Sequence, residues 1–238
     1  MKTIILLTGV ANQQFALREL LKAHNPALSF RCAVTADDLA AIEPEVLRDA
    51  RLLAFTTGVI VPRTTLAALG HGAYNFHPGP PQYPGWAPAH FALYDQARMF
   101  GVTAHVMAER VDCGPIVGVE FFIIPDKIGV RGLEQMAYVR LAHLFWRMSR
   151  DFACDPSPPN ALPVTWCGVK STRRMYREMC DLPATINAAE LARRIRAFHD
   201  DFRGIPLTYS LHGIRFQLAT APAQVAAEIA SPPLAAAS

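Results

Sequence analysis

Asn75 and His77 stand two residues apart, just ahead of the run Pro78-Gly79-Pro80-Pro81-Gln82-Tyr83-Pro84-Gly85, and a lone Asp112 follows in Val111-Asp112-Cys113-Gly114-Pro115. On an extended strand, side chains two apart leave the same face, so an amide and an imidazole would converge on one point. The strand cannot run far past His77, because Pro78, Pro80 and Pro81 lack ladder donors, while Gly79 and Gly85 permit turns closed to other residues. The pair is therefore expected at a strand's carboxyl end, where open α/β sheets place their ligands. Asp112 follows a second predicted strand, residues 101–107. A carboxylate beside an imidazole raises its pKa and fixes its tautomer. The three residue types suit acyl-type transfer without a covalent intermediate: Asn75 and a protonated His77 donate to an oxyanion, and Asp112 orients His77 or relays a proton through water. Taken singly, Asn75 could cap a turn, His77 could be a half-buried histidine and Asp112 could open a turn. Their combination on one proline-glycine framework is what points to a catalytic site.

The elements that must position these residues follow from hydrophobic periodicity. Strand-like residues 3–8 precede a helix over 13–23 whose Phe15, Ala16, Leu20 and Leu21 share a face. A strand over 28–34, a short helical piece at 37–42, a strand over 51–55 and a helix over 63–69 deliver the chain to the Asn75 strand. Such alternation predicts a doubly wound α/β sheet. Beyond the site come a helix at 88–98, strands at 101–107 and 116–124, and a long helix at 132–150. In that helix Leu133, Met136, Ala137, Leu141, Leu144, Phe145 and Met148 recur at helical spacing and are core positions. The expected organisation is a catalytic domain over 1–154, a proline-rich linker over 155–165, a small C-terminal subdomain over 166–220 and an Ala/Pro-rich tail over 221–238. The subdomain is read as a helix at 188–198 and a hairpin, 206–211 with 214–218, closed by His212-Gly213.

Composition narrows the class. The 238 residues are 51% hydrophobic and 18% charged, enough to bury a sizeable core. A formal net charge of +3 is too small to imply a polyanionic partner by itself. Five cysteines without a Cys-x-x-Cys pair indicate neither a zinc site nor a disulfide framework, and a reducing cytoplasm is the simplest compartment. The apolar start, residues 3–8, is read as a buried first strand rather than a signal peptide, and no run approaches the roughly 20 apolar residues that span a membrane.

On the residues Asn75-Phe76-His77-Pro78, Gly101-Val102-Thr103-Ala104-His105 and Asp112-Cys113-Gly114-Pro115-Ile116, the chain resembles the folate-dependent formyltransferases, most clearly over residues 51–125. That family shares a strand ending in Asn-x-His-Pro, a proline-glycine loop, a Gly-x-Thr-x-His-like strand and an Asp before Gly-Pro-Ile. The resemblance implies a Rossmann-like formyltransferase fold with a small helix-plus-hairpin appendage, with Asn75, His77 and Asp112 on the three catalytic positions. It implies N10-formyltetrahydrofolate as the formyl donor, no metal, and a pterin slot edged by Thr56, Thr57, Gly58 and Ile60 on one side and by Met107 and Val111 on the other. Trp86 and Tyr83 are the expected acceptor-side residues.

Two departures bear on the acceptor. The segment ahead of Asn75 is short for the family, and Gly9-Val10-Ala11-Asn12-Gln13 lacks a glycine-rich phosphate cradle, which disfavours phosphoribosylglycinamide. About 50 structured residues after Lys170 are few for a complete RNA-binding barrel. A small amine, with a nucleotide-linked amino sugar as the best-fitting class, is therefore expected over nucleic acid, with tRNA not excluded, no membrane partner and a homodimer left open. A formyltetrahydrofolate hydrolase, a methionyl-tRNA formyltransferase and a non-catalytic folate- or nucleotide-binding module are the alternatives.

Overall fold

The computed structural model describes residues 1–199 and 202–219; the tail expected over 221–238 lies outside the described residues. A six-stranded sheet is built from β1 (Thr3–Leu7), β2 (Ser29–Ala33), β3 (Ala50–Phe55), β4 (Ala73–His77), β5 (Met99–Val106) and β6 (Ile116–Ile123), in the spatial order β2-β1-β3-β4-β5-β6. The first four strands are mutually parallel. The last two are not: β5 runs antiparallel to β4, and β6 antiparallel to β5. Periodicity reports which residues are strand, whereas strand direction depends on the connection, so this mixed character was not visible in sequence. Strand order reverses between β1 and β3, which opens the crevice characteristic of doubly wound sheets.

Both faces of the parallel half are covered, and β1 shows how. Ile4 and Leu6 join one hydrophobic cluster, with α1 (Ala11–His24) and α6 (Val130–Cys154). Ile5 and Leu7 join the other, which takes in Leu39 of α2 (Ala36–Ala40) and Leu47 of α3 (Pro44–Arg48) and abuts α4 (Arg63–Ala68). A strand buried on both sides reads as a continuous apolar run, which is what residues 4–7 are. In α6, Leu133, Ala137, Leu141, Leu144 and Phe145 are buried as the spacing predicts, with Met136 and Met148 packed at the margin.

At the β4–β5 end the two faces differ. Tyr74, Phe76, Val102 and Ala104 point into the cluster against α6, with Phe76 packed 4.9 Å from Phe145. On the opposite face lie Asn75, His77, Thr103 and His105, and they are met by the proline-glycine loop and the coil after α6.

That coil, over the proline-rich residues expected to be a linker, is irregular as prolines require, yet it lies back along the sheet domain. Leu162 N–H donates to the Ile116 carbonyl at 2.7 Å and Cys167 N–H to that of Pro81 at 2.9 Å. Beyond it, α7 (Arg173–Cys180) and α8 (Ala188–Phe198) pack towards α5 (Pro88–Tyr94), and Tyr176 and Phe198 belong to the same hydrophobic cluster as Phe76. A three-stranded sheet follows: β7 (Asp181–Leu182) parallel to β8 (Thr208–Leu211), and β8 antiparallel to β9 (Ile214–Gln217). His212 and Gly213 both take positive φ, 49° and 80°, as the tight two-residue hairpin turn demands.

Candidate active site

The antiparallel β4–β5 register sets Asn75 directly opposite His105 and His77 opposite Thr103. Cross-strand partners share a face, so Asn75 Nδ2 comes within 3.1 Å of His105 Nε2. His105 Nδ1 lies 2.9 Å from the Val106 carbonyl, an acceptor, so Nδ1 carries hydrogen. In the neutral ring Nε2 is then free to accept from the Asn75 amide, which has a second N–H left for the cleft. A register irregularity in the β5–β6 ladder falls at Ala104/His105, a common device for re-aiming a side chain beside a site.

His77 sits at the last position of β4, where Pro78 ends the ladder. Its Nε2 lies 3.1 Å from the Tyr83 carbonyl and therefore donates, and its Nδ1 faces Asp112 Oδ2 at 3.5 Å. Gly79 is required for space rather than for a left-handed turn: a Cβ there would stand 2.6 Å from His77 Nε2 and 2.6 Å from Pro88 Cβ. Thr103, buried, donates its hydroxyl to the Gly79 carbonyl at 2.8 Å and so pins the loop across the strand ends. Gly85 does take a positive φ, 95°, and its N–H donates to Asp112 Oδ2 at 2.8 Å.

Asp112 itself has φ 51°, a left-handed conformation that Asp tolerates better than most residues. Its carboxylate is nearly inaccessible, at 5% exposure, and faces both imidazoles. Oδ1 lies 3.3 Å from His105 Nε2 but without a hydrogen bond of good geometry, so this oxygen is a buried acceptor beside the imidazole. Burial pushes the Asp112 carboxyl up, but His105 alongside, the charge of His77 and the Gly85 N–H outweigh it and hold the group at about 2. His77 is drawn below the usual histidine value, first by burial, which the Asp112 charge and the Tyr83 carbonyl only partly offset. The result is a permanent carboxylate beside two imidazoles, suited to orienting a ring and passing protons rather than to strong base catalysis.

These groups open on a cleft of about 810 Å³. Thr56, Thr57, Gly58, Ile60, Met107 and Val111 all line it. Thr56 has φ 48°, unusual for a β-branched residue, and stands at the crevice where strand order reverses, its hydroxyl 3.3 Å from Gln13 Oε1. Trp86 also lines the cleft, with the guanidinium groups of Arg203 and Arg173 at 5.4 and 6.0 Å from its ring. Tyr83 does not belong to this wall. Its ring packs towards Phe100, 6.3 Å away, and burial followed by the Asp95 charge raises its hydroxyl to about 12. What Tyr83 gives the site is its carbonyl. Two residues here were not foreseen as part of the site: His105, visible in sequence only as a motif letter because its role depends on register, and Trp166, whose indole lies against both imidazoles. No local signal marks Trp166, which reaches the site through the path of a coil.

Solved structures share this mixed α/β fold. A sugar N-formyltransferase from a Shewanella species superposes with a TM-score of 0.75, at 16% identity, covering 92% of this chain and 97% of that one. The N-formyltransferase of Helicobacter canadensis, determined with folinic acid and dTDP-3-aminofucose, gives 0.62 at 14% identity, over 90% of this chain and 85% of that one. In sequence, residues 31–134 match the family model described as formyl transferase. Methionyl-tRNA formyltransferase of Listeria monocytogenes is 31% identical over 122 residues, a match that spans 51% of this chain but only 37% of the enzyme's length. The chain is thus similar to the formyltransferases in sequence over part of its length, and shares their fold.

Among the described residues no helix is long and apolar enough to cross a membrane.

Proposed function

We propose that this protein transfers a formyl group from N10-formyltetrahydrofolate to a small primary amine. The observation that carries the reading is the Asn75–His105–Asp112–His77 cluster at the floor of the cleft: a cleft-facing amide donor backed by two imidazoles and a buried carboxylate. The unprotonated amine attacks the formyl carbon, and the carbonyl oxygen becomes an oxyanion that takes a hydrogen bond from Asn75. His77 donates to it by exchanging its bond to the Tyr83 carbonyl. The amine proton then passes through the Asp112 carboxylate to N10 as the carbon–N10 bond breaks, releasing tetrahydrofolate and the formamide. Thr56, Thr57, Gly58, Ile60, Met107 and Val111, which line the cleft, suit a flat pterin held largely through backbone groups. Trp86, with two guanidinium groups near its ring, is the acceptor wall and suits an amine bearing a planar or anionic group, such as a nucleotide-linked amino sugar. The Helicobacter canadensis neighbour, determined with such a sugar nucleotide, supports this choice.

The test is an acceptor screen with 10-formyltetrahydrofolate, read by mass spectrometry for formyl addition, alongside the Asn75→Ala variant. A formylated amine is expected, with turnover about 100- to 1000-fold lower in the variant. Formate release without any acceptor would instead assign a hydrolase. Efficient formylation of methionyl-tRNA would overturn the small-amine assignment, and absence of folate binding by the folded protein would remove the donor.

A further inference from the structure

Trp166 belongs to neither β4 nor β5, yet its ring lies 5.7 Å from that of His77 and 5.0 Å from that of His105, edge-on to both at 72° and 89°. Its own N–H is spent on the Gly114 carbonyl at 2.8 Å, just beyond Asp112, so the indole is fixed relative to the carboxylate loop as well as to the strands. The coil that presents it is held on both sides. Leu162 N–H bonds the Ile116 carbonyl before it, and Cys167 N–H bonds the Pro81 carbonyl after it. At Gly168, φ 86°, a Cβ would stand 2.3 Å from the Gln82 carbonyl, so the coil lies flush on the proline-glycine loop. Lys170 Nζ reaches the Val111 carbonyl at 3.0 Å, and Gly85 and Ser171 form a parallel bridge. The coil therefore touches every segment that carries a member of the cluster: β5 through His105, the loop after His77 and the loop bearing Asp112.

A face of a sheet is normally closed by a helix or a second sheet. On this face, at β4 and β5, the proline-glycine loop and the coil lie over the strands instead, and the coil's indole packs against both imidazoles. Hydrogen bonds to the Tyr83 carbonyl at 3.1 Å and the Val106 carbonyl at 2.9 Å hold one nitrogen of each ring, but the contacts to Asp112 are longer, at 3.5 and 3.3 Å, so packing against the indole completes the orientation to within a few tenths of an ångström.

We infer that Trp166 is a positioning residue for formyl transfer: its indole holds the imidazoles of His77 and His105 facing Asp112 and keeps water from their outer faces. The inference rests on the formyl-transfer reading for its kinetic arm only. Among the described residues, the titratable and charged groups facing the two rings are each other and Asp112; Lys170, from the same coil, is turned to the Val111 carbonyl.

The experiment compares Trp166→Ala, Trp166→Leu and Trp166→Phe in the full chain. In Trp166→Ala and Trp166→Leu, kcat is expected to fall roughly 10- to 100-fold while KM for the folate donor moves less than about threefold, and Trp166→Phe, which restores an aromatic face, is expected to recover most of the loss. Independently of any substrate, the ring-proton NMR resonances of His77 and His105, assigned with His77→Gln and His105→Gln, follow the same comparison. The His77 titration midpoint is expected to rise towards the ordinary histidine value in the Ala and Leu variants, and to stay near wild type in the Phe variant. A kcat within twofold of wild type in folded Trp166→Leu, or unchanged histidine titrations, would overturn the proposal. A wild-type protein without formyl transfer would sink the functional reading while the titrations still decide the role of Trp166.

Discussion

Asp112 is where the physical chemistry of the site is most exposed, because its carboxyl is held at about 2 inside the protein, below an ordinary value of 3.8. A group whose pKa is lowered by folding stabilises the native state above its ordinary pKa, and that contribution is lost as pH falls through the folded value. The window is therefore from about 4 down to about 2, and the contribution is on the order of 2 kcal/mol. Asp112→Asn keeps an oxygen for the Gly85 N–H but has no proton to lose. Urea-unfolding midpoints measured across pH should show the variant less stable than wild type at neutral pH, with the gap narrowing as pH drops below 4. A gap that stays constant to pH 2 would mean that the carboxylate is not held by the two imidazoles. Asn75, His77 and Asp112 were legible in sequence because side-chain type, a two-residue interval and flanking prolines and glycines are local facts. His105 was not, because its partnership with Asn75 is set by the pairing of two strands thirty residues apart.

At the scale of elements, periodicity served the strands and helices whose burial is regular. The helix at Ala188–Phe198 and the hairpin closed by His212-Gly213 fall where apolar spacing and turn residues put them. The Arg173–Cys180 helix was not among the expected elements, since just Tyr176 and Cys180 of its eight residues are buried and leave little apolar period to read. The two-residue strand Asp181–Leu182 is too short to carry a period at all. The loop between β4 and α5 depends on Gly85 in a way that sequence could state only in part. Its φ of 95° was foreseeable as a turn, but not that a Cβ would stand 2.2 Å from the Ser171 carbonyl and 2.8 Å from Ser171 N. Gly85→Ala must therefore strain the backbone and push the coil from the loop, at a cost on the order of 2–4 kcal/mol. Because Gly85 N–H also holds Asp112, the same change should depress activity even at temperatures where the protein stays folded. Thermal unfolding and turnover of the variant check both. A melting temperature within a degree of wild type would show that the loop and coil part without cost.

Across the whole molecule, the sheet, the long helix and the returning coil meet at Arg51, the largest fully buried side chain. Its Nε donates to the His71 carbonyl at 3.2 Å, Nη1 to the carbonyls of Phe152 and Asp155 at 2.9 Å each, and Nη2 to that of Ser157 at 2.9 Å. The guanidinium lies 5.5 Å from both the Tyr74 and the Phe152 rings. Phe152 and Asp155 stand at the carboxyl end of α6, where carbonyls lack intrahelical partners and the helix dipole favours a cation, so the buried charge meets a ready-made set of acceptors. In sequence Arg51 is only the start of an apolar strand, and a charged residue there gives no hint that it fastens a coil more than a hundred positions away. Lysine cannot replace the fork geometry, and methionine leaves the carbonyls unpaired in the interior. Arg51→Met should lower stability by about 3 kcal/mol, with Arg51→Lys recovering part of it. Because the coil from Asp155 onward also presents Trp166 to the imidazoles, its release should reach the site: limited proteolysis is expected to cut within residues 155–165 faster in the variant, and turnover to fall with it. Denaturant midpoints, cleavage mapping and activity measured on one preparation separate the steps, and an Arg51→Met protein that loses stability yet keeps both its protease resistance and its turnover would show that the coil is held at its far end alone.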